Sequence, residues 1–261
     1  MTGLDDDVDL HWKAEGPFRG TATLLHGVTG LADTWWQVGP GLAAAGWDVS
    51  ALDLPGHGDR AAGLDPLTQS VMVQDVAGRL PEMGTDLLVG HSMGGVVAAG
   101  VAAARPDLVR ALALEDPAGW RGEPDRELAA RIREDCAAAR VDPSAATARS
   151  RAANPTWADQ DVAADVAGKA ATDVAAVAGG AEVQLCGDLL SALRQVTVPV
   201  LLLLSEPARS ALHAPERAAV AALVPPPRVV DLPAGHAVHR DLPGHWVDAV
   251  AAFGTSAVAA A

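Results

Sequence analysis

The sequence predicts an α/β fold in which a mostly parallel sheet is covered by helices on both faces. Short apolar runs alternate along the chain with alanine-rich stretches of helical length, as in parallel sheets with helical crossovers. Most runs stop at glycine, proline or a polar residue, which marks strand ends. Residues 118–195 lack convincing strands and consist of charged, alanine-rich helical stretches, which predicts a helical lid inserted into one domain.

The pattern places each element in order. The expected core comprises residues 1–117 and 196–261, and its length and 49% hydrophobic content suit a single domain. We expect strands at 21–25, 48–52, 86–89, 109–114, 198–204 and 228–232, core helices at 34–45, 68–80, 96–104 and 245–253, and lid helices at 123–140, 143–153 and 158–177.

Charge and hydropathy exclude several classes of partner. The formal net charge is −14, which repels phosphate backbones and anionic membranes, so we expect no nucleic-acid or membrane partner. The apolar runs are shorter than the ~20 residues that a bilayer span needs, and the N-terminus shows no secretory pattern. These features predict a cytoplasmic protein, and nothing in the sequence specifies its oligomeric state.

Gly90-His91-Ser92-Met93-Gly94 matches the G-x-S-x-G pattern of a nucleophile elbow. It lies between a predicted strand and a predicted helix, the context in which a serine occupies a sharp, strained turn. The flanking glycines avoid Cβ clashes across that turn, and the start of the helix favours developing negative charge. We therefore predict that Ser92 is a nucleophile.

Five motifs together resemble the α/β-hydrolase superfamily over nearly the whole chain. They are residues 25–27, 53–58, 90–94, 114–117 and 234–236, in the expected order and spacing. The resemblance implies an α/β-hydrolase fold with a lid after the strand that follows the nucleophile helix. It also implies an oxyanion hole formed by the backbone N–H groups of Val28 and Met93, because a tetrahedral intermediate needs donors aimed at its oxygen.

The resemblance places the catalytic base at His236, after the last strand and before the last helix. The chain order serine, acid, histidine also fits this fold. We interpret His26 as a structural histidine that orients the loop before Val28. His236, His239 and Asp241 form too small a group to predict a metal site. Nucleotide and flavin motifs are absent as well, so we expect neither a cofactor nor a metal.

The acid of the triad has three candidates. In many relatives an Asp shortly follows the strand predicted at 198–204, but Ala208 occupies the usual position here. Asp116 ends the preceding strand, a site that certain lactone hydrolases and dehalogenases use, and we favour it. Glu206 and Glu115 are the alternatives. Each would hold the imidazole tautomer and stabilise the imidazolium.

A serine at the elbow favours acyl transfer, so we expect hydrolysis of a carboxylic ester or a lactone. Two rival functions remain. Relatives with the same triad act as cofactor-free haloperoxidases or carbon–carbon bond hydrolases, and a weakly catalytic member of the fold would act as a ligand-binding protein. The expected substrate is small and apolar, because four tryptophans fall near the expected pocket, where they bind substrate or pack the core: Trp35, Trp36, Trp120 and Trp157.

Overall fold

A seven-stranded sheet forms the centre of the protein, as the computed structural model describes it for residues 10–60, 66–118, 124–223 and 225–260. The strand order is β1-β3-β2-β4-β5-β6-β7, and every neighbouring pair is parallel except β1 with β3. The predicted α/β fold is confirmed. The strands are β1 (Leu10–Trp12), β2 (Gly20–Leu25), β3 (Trp47–Leu52), β4 (Leu87–His91), β5 (Ala111–Glu115), β6 (Val200–Leu204) and β7 (Arg228–Asp231).

The sequence analysis missed β1. This strand has three residues with only intermediate burial at its two ends, so it lacks the apolar run that announces the other strands. It pairs Leu10 with Ala51 at the antiparallel edge of the sheet. The other six strands overlap their predicted positions within a few residues.

The sheet separates two hydrophobic cores. Successive side chains of a strand point to opposite faces, and in β5 Leu112 and Leu114 enter one core whereas Ala111 and Ala113 enter the other. All five residues of β5 are buried. Burial on both faces explains why the central strands appear as continuous apolar runs in the sequence.

Helices cover both faces, and five of them, α4 to α8, lie between β5 and β6. The stretch predicted as one helix at 158–177 is two helices, because Asp173 caps a new helix by accepting a hydrogen bond from Ala176 N at 3.2 Å. The helices are α1 (Val38–Ala44), α2 (Gln69–Met83), α3 (Met93–Ala104), α4 (Arg126–Val141), α5 (Pro143–Ala153), α6 (Asp159–Ala171), α7 (Val174–Ala181), α8 (Leu189–Leu193), α9 (Ala214–Ala221), α10 (Val238–Asp241) and α11 (Pro243–Ala260).

Three of these helices, α8, α9 and α10, were not predicted, since they have five, eight and four residues and show little periodicity. We call the segment 118–195 the helical insertion. Throughout the described ranges, none of the helices combines the length and hydropathy that crossing a bilayer requires.

Candidate active site

Ser92 occupies a strained turn between β4 and α3. Its backbone dihedrals are φ 52° and ψ −115°, a combination that costs a non-glycine residue free energy and is retained mainly at functional sites. The turn is fixed to the neighbouring strand, because Ser92 N donates to Glu115 O at 3.0 Å and Ala118 N donates to Ser92 O at 3.2 Å. The serine side chain is therefore held at the carboxyl end of the sheet.

Glycines allow this turn to pack against the loop that follows β2. A Cβ at Gly90 would overlap the carbonyl of Gly94, and a Cβ at Gly94 would overlap the carbonyls of Leu25 and His26. A Cβ at Gly27 would lie 2.8 Å from His91 Nδ1 and 3.2 Å from Ser92 Cβ. Any larger residue at these positions would separate the serine from the loop that carries Val28.

Three side chains from three separate segments meet at this turn. Ser92 Oγ lies 2.9 Å from His236 Nε2, and His236 Nδ1 lies 2.6 Å from Asp116 Oδ2. Ser92 and Asp116 are buried, whereas the side chain of His236 is 41% exposed. The geometry is that of a serine, a general base and an orienting acid.

Asp116 directly follows β5, and its side chain lies in a pocket of hydrogen-bond donors. Its carboxylate accepts from His236, from the hydroxyls of Ser205 at 3.0 Å and Ser210 at 2.5 Å, and from Ala211 N at 3.0 Å. Burial opposes its ionisation, but hydrogen bonds led by that from His236 outweigh burial, so the pKa of Asp116 is lowered. An ionised Asp116 makes His236 Nδ1 the donor and leaves Nε2 to accept the Ser92 proton.

The two other acid candidates lie elsewhere. Glu206 is exposed in the turn after β6, where its N–H donates to Ala234 O at 3.0 Å. Glu115 is fully buried and points to the opposite face of the sheet from Asp116. It accepts from Trp246 Nε1 at 2.9 Å and from His239 N at 3.0 Å. Neither carboxylate has a described hydrogen bond to His236.

A buried polar network lies behind the triad. Thr34 Oγ1 accepts hydrogen bonds from Nε and an Nη of Arg240 at 3.2 and 2.6 Å. The hydroxyl proton of Thr34 is then donated to His239 Nε2, which lies 3.2 Å away. His239 Nδ1 must then donate to Glu115, whose oxygens lie 2.8 and 3.0 Å away. Burial lowers the pKa of His239 and raises that of Glu115, and the donors around Glu115 offset its lost hydration.

His91 connects this network to the triad. Its Nε2 donates to the backbone carbonyl of His236 at 3.0 Å, and its ring packs 4.8 Å from that of His236. Burial lowers the pKa of His91 to about 3, so it is a neutral support. His91, Glu115 and His239 bring metal-ligand atoms within 4.8 Å of one another, but the hydrogen bonds just described already engage all three side chains.

The triad opens into two adjoining cavities of about 660 and 500 Å³. Ser92 and Met93 line the larger one, and His236, Val28 and Arg209 line both. Met93 is the first residue of α3, so its N–H lacks an intrahelical acceptor. Among the described residues, the N–H of Val28 also has no hydrogen-bond partner. Both predicted oxyanion-hole residues therefore border the space beside Ser92.

The predicted tryptophans are placed differently from one another. Trp35 is fully buried in the core against His239 and Trp246, and Trp36 donates to Asp161 Oδ1 at 2.8 Å. Neither lines the two cavities, so for Trp35 the structure shows core packing, the alternative that the sequence left open. Trp157 lines the smaller cavity. Trp120 lies outside the described residues.

The sequence analysis missed the residues that support the triad. Ser205 and Ser210 hold Asp116, and Arg240 joins α10 to the helical insertion, since it stacks 4.4 Å over the ring of Trp157 and donates to Asp161 O at 3.4 Å. Arg240 has a sequence signal only in its position near His236, and the two serines have none. Single polar residues in loops have no periodicity, so spacing alone does not identify them.

Comparison with known proteins is consistent with this architecture. The model of the alpha/beta hydrolase family matches residues 24–253. The chain belongs to this family. As an alpha/beta hydrolase it is similar to the lipase LipV of Mycobacterium tuberculosis, with 38% identity over 161 residues that cover 59% of this chain and 58% of that protein. The predicted superfamily membership is thereby confirmed.

Two further similarities concern other members of the alpha/beta hydrolase fold. The pimeloyl-[acyl-carrier protein] methyl ester esterase of Sodalis glossinidius is 37% identical over 105 residues, 40% of this chain and 39% of that protein. The enol-lactonase of Burkholderia xenovorans superposes with a TM-score of 0.73 at 23% identity, covering 94% and 97% of the two chains. The matches to the curated relatives named here thus span between about two fifths and three fifths of their length.

Proposed function

We propose that this alpha/beta hydrolase cleaves a carboxylic ester or a lactone through an acyl-enzyme intermediate on Ser92. The observation that carries the proposal is the hydrogen-bonded series Ser92–His236–Asp116, with contacts of 2.9 and 2.6 Å. Relatives named as a lipase and a methyl ester esterase support the same bond type. The helical insertion acts as a lid over the site, since α4 contributes to the wall of the larger cavity.

Each residue of the site then has a defined role in the reaction. His236 Nε2 takes the Ser92 proton as Oγ attacks the carbonyl carbon, and the oxyanion forms beside the N–H groups of Val28 and Met93. His236 returns the proton to the leaving alkoxide as the carbon–oxygen bond breaks. Water, deprotonated by His236, then attacks the acyl carbon, and the acid leaves as the bond to Oγ breaks and His236 returns the proton to Ser92. Asp116 keeps the required tautomer throughout.

A complete triad favours turnover over the ligand-binding alternative. Strain at Ser92 and the burial of the Asp116 carboxylate, which four donors offset, are costs that a binding protein has no need to retain. Perhydrolysis and carbon–carbon bond cleavage would use the same three residues, and product analysis with a simple ester separates them from hydrolysis.

Replacing Ser92 with alanine tests the proposal. Ser92→Ala should abolish hydrolysis of p-nitrophenyl esters and labelling by a fluorophosphonate probe, while circular dichroism stays unchanged. Ser256→Ala is the matched control, because Ser256 lies on α11 and donates to Phe253 O within its own helix. Labelling that persists in Ser92→Ala would contradict the assignment. A burst of p-nitrophenol in the wild type would show the acyl-enzyme directly.

A further inference from the structure

The smaller cavity carries cationic side chains in a strongly acidic protein. The chain has 19 Lys and Arg against 33 Asp and Glu, yet four cations and three carboxylates line this cavity. A cleft focuses the field of its own charges more strongly than the open surface does. This wall therefore differs in charge from the rest of the molecule. The cations are Arg149, Lys169, Arg209 and Arg240.

Two of these cations are already engaged. Lys169 Nζ lies 2.8 Å from the carboxylate of Asp165. Arg240 is buried and donates to Thr34 and Asp161. Both side chains therefore add positive potential to the cavity. Because their charged groups already have protein partners, they are not available to bind a ligand.

Arg209 and Arg149 differ from them. Across the described ranges, neither guanidinium has a hydrogen-bond or ion-pair partner, and both residues are exposed to solvent. Arg209 lies in the loop after β6 and lines both cavities. Its guanidinium lies against Gly235, where an added Cβ would overlap an Nη of Arg209 and lie 2.9 Å from Asp241 Oδ2. Asp241 is therefore a neighbour of this guanidinium, although no ion pair joins these two described side chains. Since Gly235 directly precedes His236, this cation lies next to the base of the triad. Arg149 lies on α5, on the insertion side of the same cavity.

The carboxylates of the wall leave room for an anion. Asp165 is paired with Lys169, and Asp241 accepts from Gly235 N and Thr156 Oγ1, both at 2.6 Å. Asp135 is the remaining acid. It is exposed on α4 and lines both cavities, but among the described residues it forms no ion pair with Arg149 or Arg209. A planar guanidinium that no protein carboxylate occupies is suited to a bidentate contact with a ligand carboxylate.

From these observations we infer that the substrate is an acidic ester, and that Arg209 binds its carboxylate while Arg149 supports binding from the insertion. The inference rests on the proposed hydrolase function and narrows the expected apolar substrate to one with an anionic end. Arg209 is a specificity residue, because it acts on binding of the remote carboxylate and takes no part in proton transfer.

Matched esters test the inference at about pH 7, where a carboxylate is ionised. One pair is mono-p-nitrophenyl adipate and its methyl ester, with the anion on the acyl side. The second pair is 4-(butanoyloxy)butanoate and its methyl ester, with the anion on the alcohol side. We expect kcat/KM for the acid to exceed that for the methyl ester at least tenfold in one pair. No preference for the acid in either pair overturns the inference.

Variants that each remove one positive charge test whether Arg209 causes the preference for the acidic ester. Arg209→Met should lower kcat/KM for the preferred acid at least tenfold, mainly through KM, and change its methyl ester less than threefold. Arg149→Met should give a smaller loss. Arg228→Met removes the same charge from exposed β7, away from both cavities, and should change neither ester. Equal effects of Arg209→Met and Arg228→Met would refute a specific contact.

A binding measurement separates the two proposals. If no ester is hydrolysed, the hydrolase proposal fails, and calorimetry with adipate still decides the anion site. The wild type should bind adipate and not adipamide, and Arg209→Met should weaken adipate binding at least tenfold while Arg228→Met has no effect. Absence of adipate binding to the wild type would then overturn the inference too. If only neutral esters are hydrolysed, the anion site fails and the hydrolase proposal stands.

Discussion

Asp116 illustrates how single residues determine the chemistry of this site. It lies at the end of β5 with φ 38°, a positive value that is uncommon outside glycine, asparagine and aspartate. Four donors surround its buried carboxylate. These contacts keep the carboxylate ionised and oriented toward His236, so that it fixes the tautomer of the base. Backbone strain and desolvation of the carboxylate are the free-energy costs of this arrangement.

Asp116→Asn should lower kcat by about 10³–10⁴-fold with little change in KM, because the amide no longer holds the correct imidazole tautomer. Steady-state kinetics with a p-nitrophenyl ester measures both constants. Glu206→Gln is the control, and since Glu206 is exposed in a turn, its loss should stay below about tenfold. The reverse ranking of the two variants would move the acid back to the loop after β6.

The sequence was informative where a residue type is tied to a motif and uninformative where a contact is tertiary. Ser92 and His236 were identifiable because a strand–turn–helix context and chain order constrain them. The acid stayed ambiguous, since Asp116, Glu206 and Glu115 all follow strands and only three-dimensional packing shows which carboxylate faces His236. The role of Trp35 stayed open between substrate binding and core packing, because a tryptophan after a loop has the same sequence signal in a core as in a pocket.

At the scale of elements, six of the seven described strands were predictable, and three short helices were not. The central strands β4, β5 and β6 are largely continuous apolar runs, whereas α8, α9 and α10 are too short for a periodic pattern. The extent of the helical insertion followed from the loss of strands. Its connection to the core did not, because that connection is a buried set of polar contacts centred on Arg240 and Asp161.

The elbow between β4 and α3 should be sensitive to a single methyl group. In Gly94→Ala the new Cβ overlaps two backbone carbonyls, so we expect unfolding free energy to fall by about 1–3 kcal/mol and esterase activity to be lost. Gly78→Ala is the matched control inside α2, where a Cβ meets nothing within 4 Å. It should stabilise by about 0.5–1 kcal/mol. Urea denaturation of both variants measures the contrast, and equal effects would contradict it.

The contact between α6 and the core should depend on Asp161. This buried carboxylate accepts from Trp36 Nε1, Gln37 Nε2 and Ala158 N at 2.8, 2.9 and 3.1 Å. Asp161→Ala leaves these donors without an acceptor and should cost about 1–3 kcal/mol. Asp159→Ala, two residues earlier and fully exposed, should cost less than about 1 kcal/mol. Thermal and urea unfolding of the two variants give the comparison.

The whole molecule contains four buried histidines with lowered pKa values. Burial is the main cause for His26, His57, His91 and His239, and it lowers the pKa of His57 to about 4. In the unfolded chain these imidazoles regain an ordinary pKa of about 6.5. The unfolded state therefore binds more protons than the folded state between about pH 6.5 and 4.

Acidification should consequently destabilise the fold. Stability rises with pH wherever the unfolded state binds more protons, so the free energy of unfolding should fall as pH is lowered below about 6.5, with a slope approaching about 1.4 kcal/mol per pH unit for each such histidine. Urea unfolding at about pH 7.5 and about pH 5 measures this fall. His57→Gln should reduce it, whereas His11→Gln at an exposed position should not. An unchanged fall in His57→Gln would contradict the assignment.

Asp241 joins two parts of the molecule that an opening of the proposed lid would separate. One of its oxygens accepts from Thr156 in the helical insertion, and the other accepts from Gly235 beside the base. Lifting the insertion would thus pull on the segment that positions His236. Under the lid proposal, opening would therefore misalign the base, and the escape of product and the realignment of His236 would belong to one kinetic step.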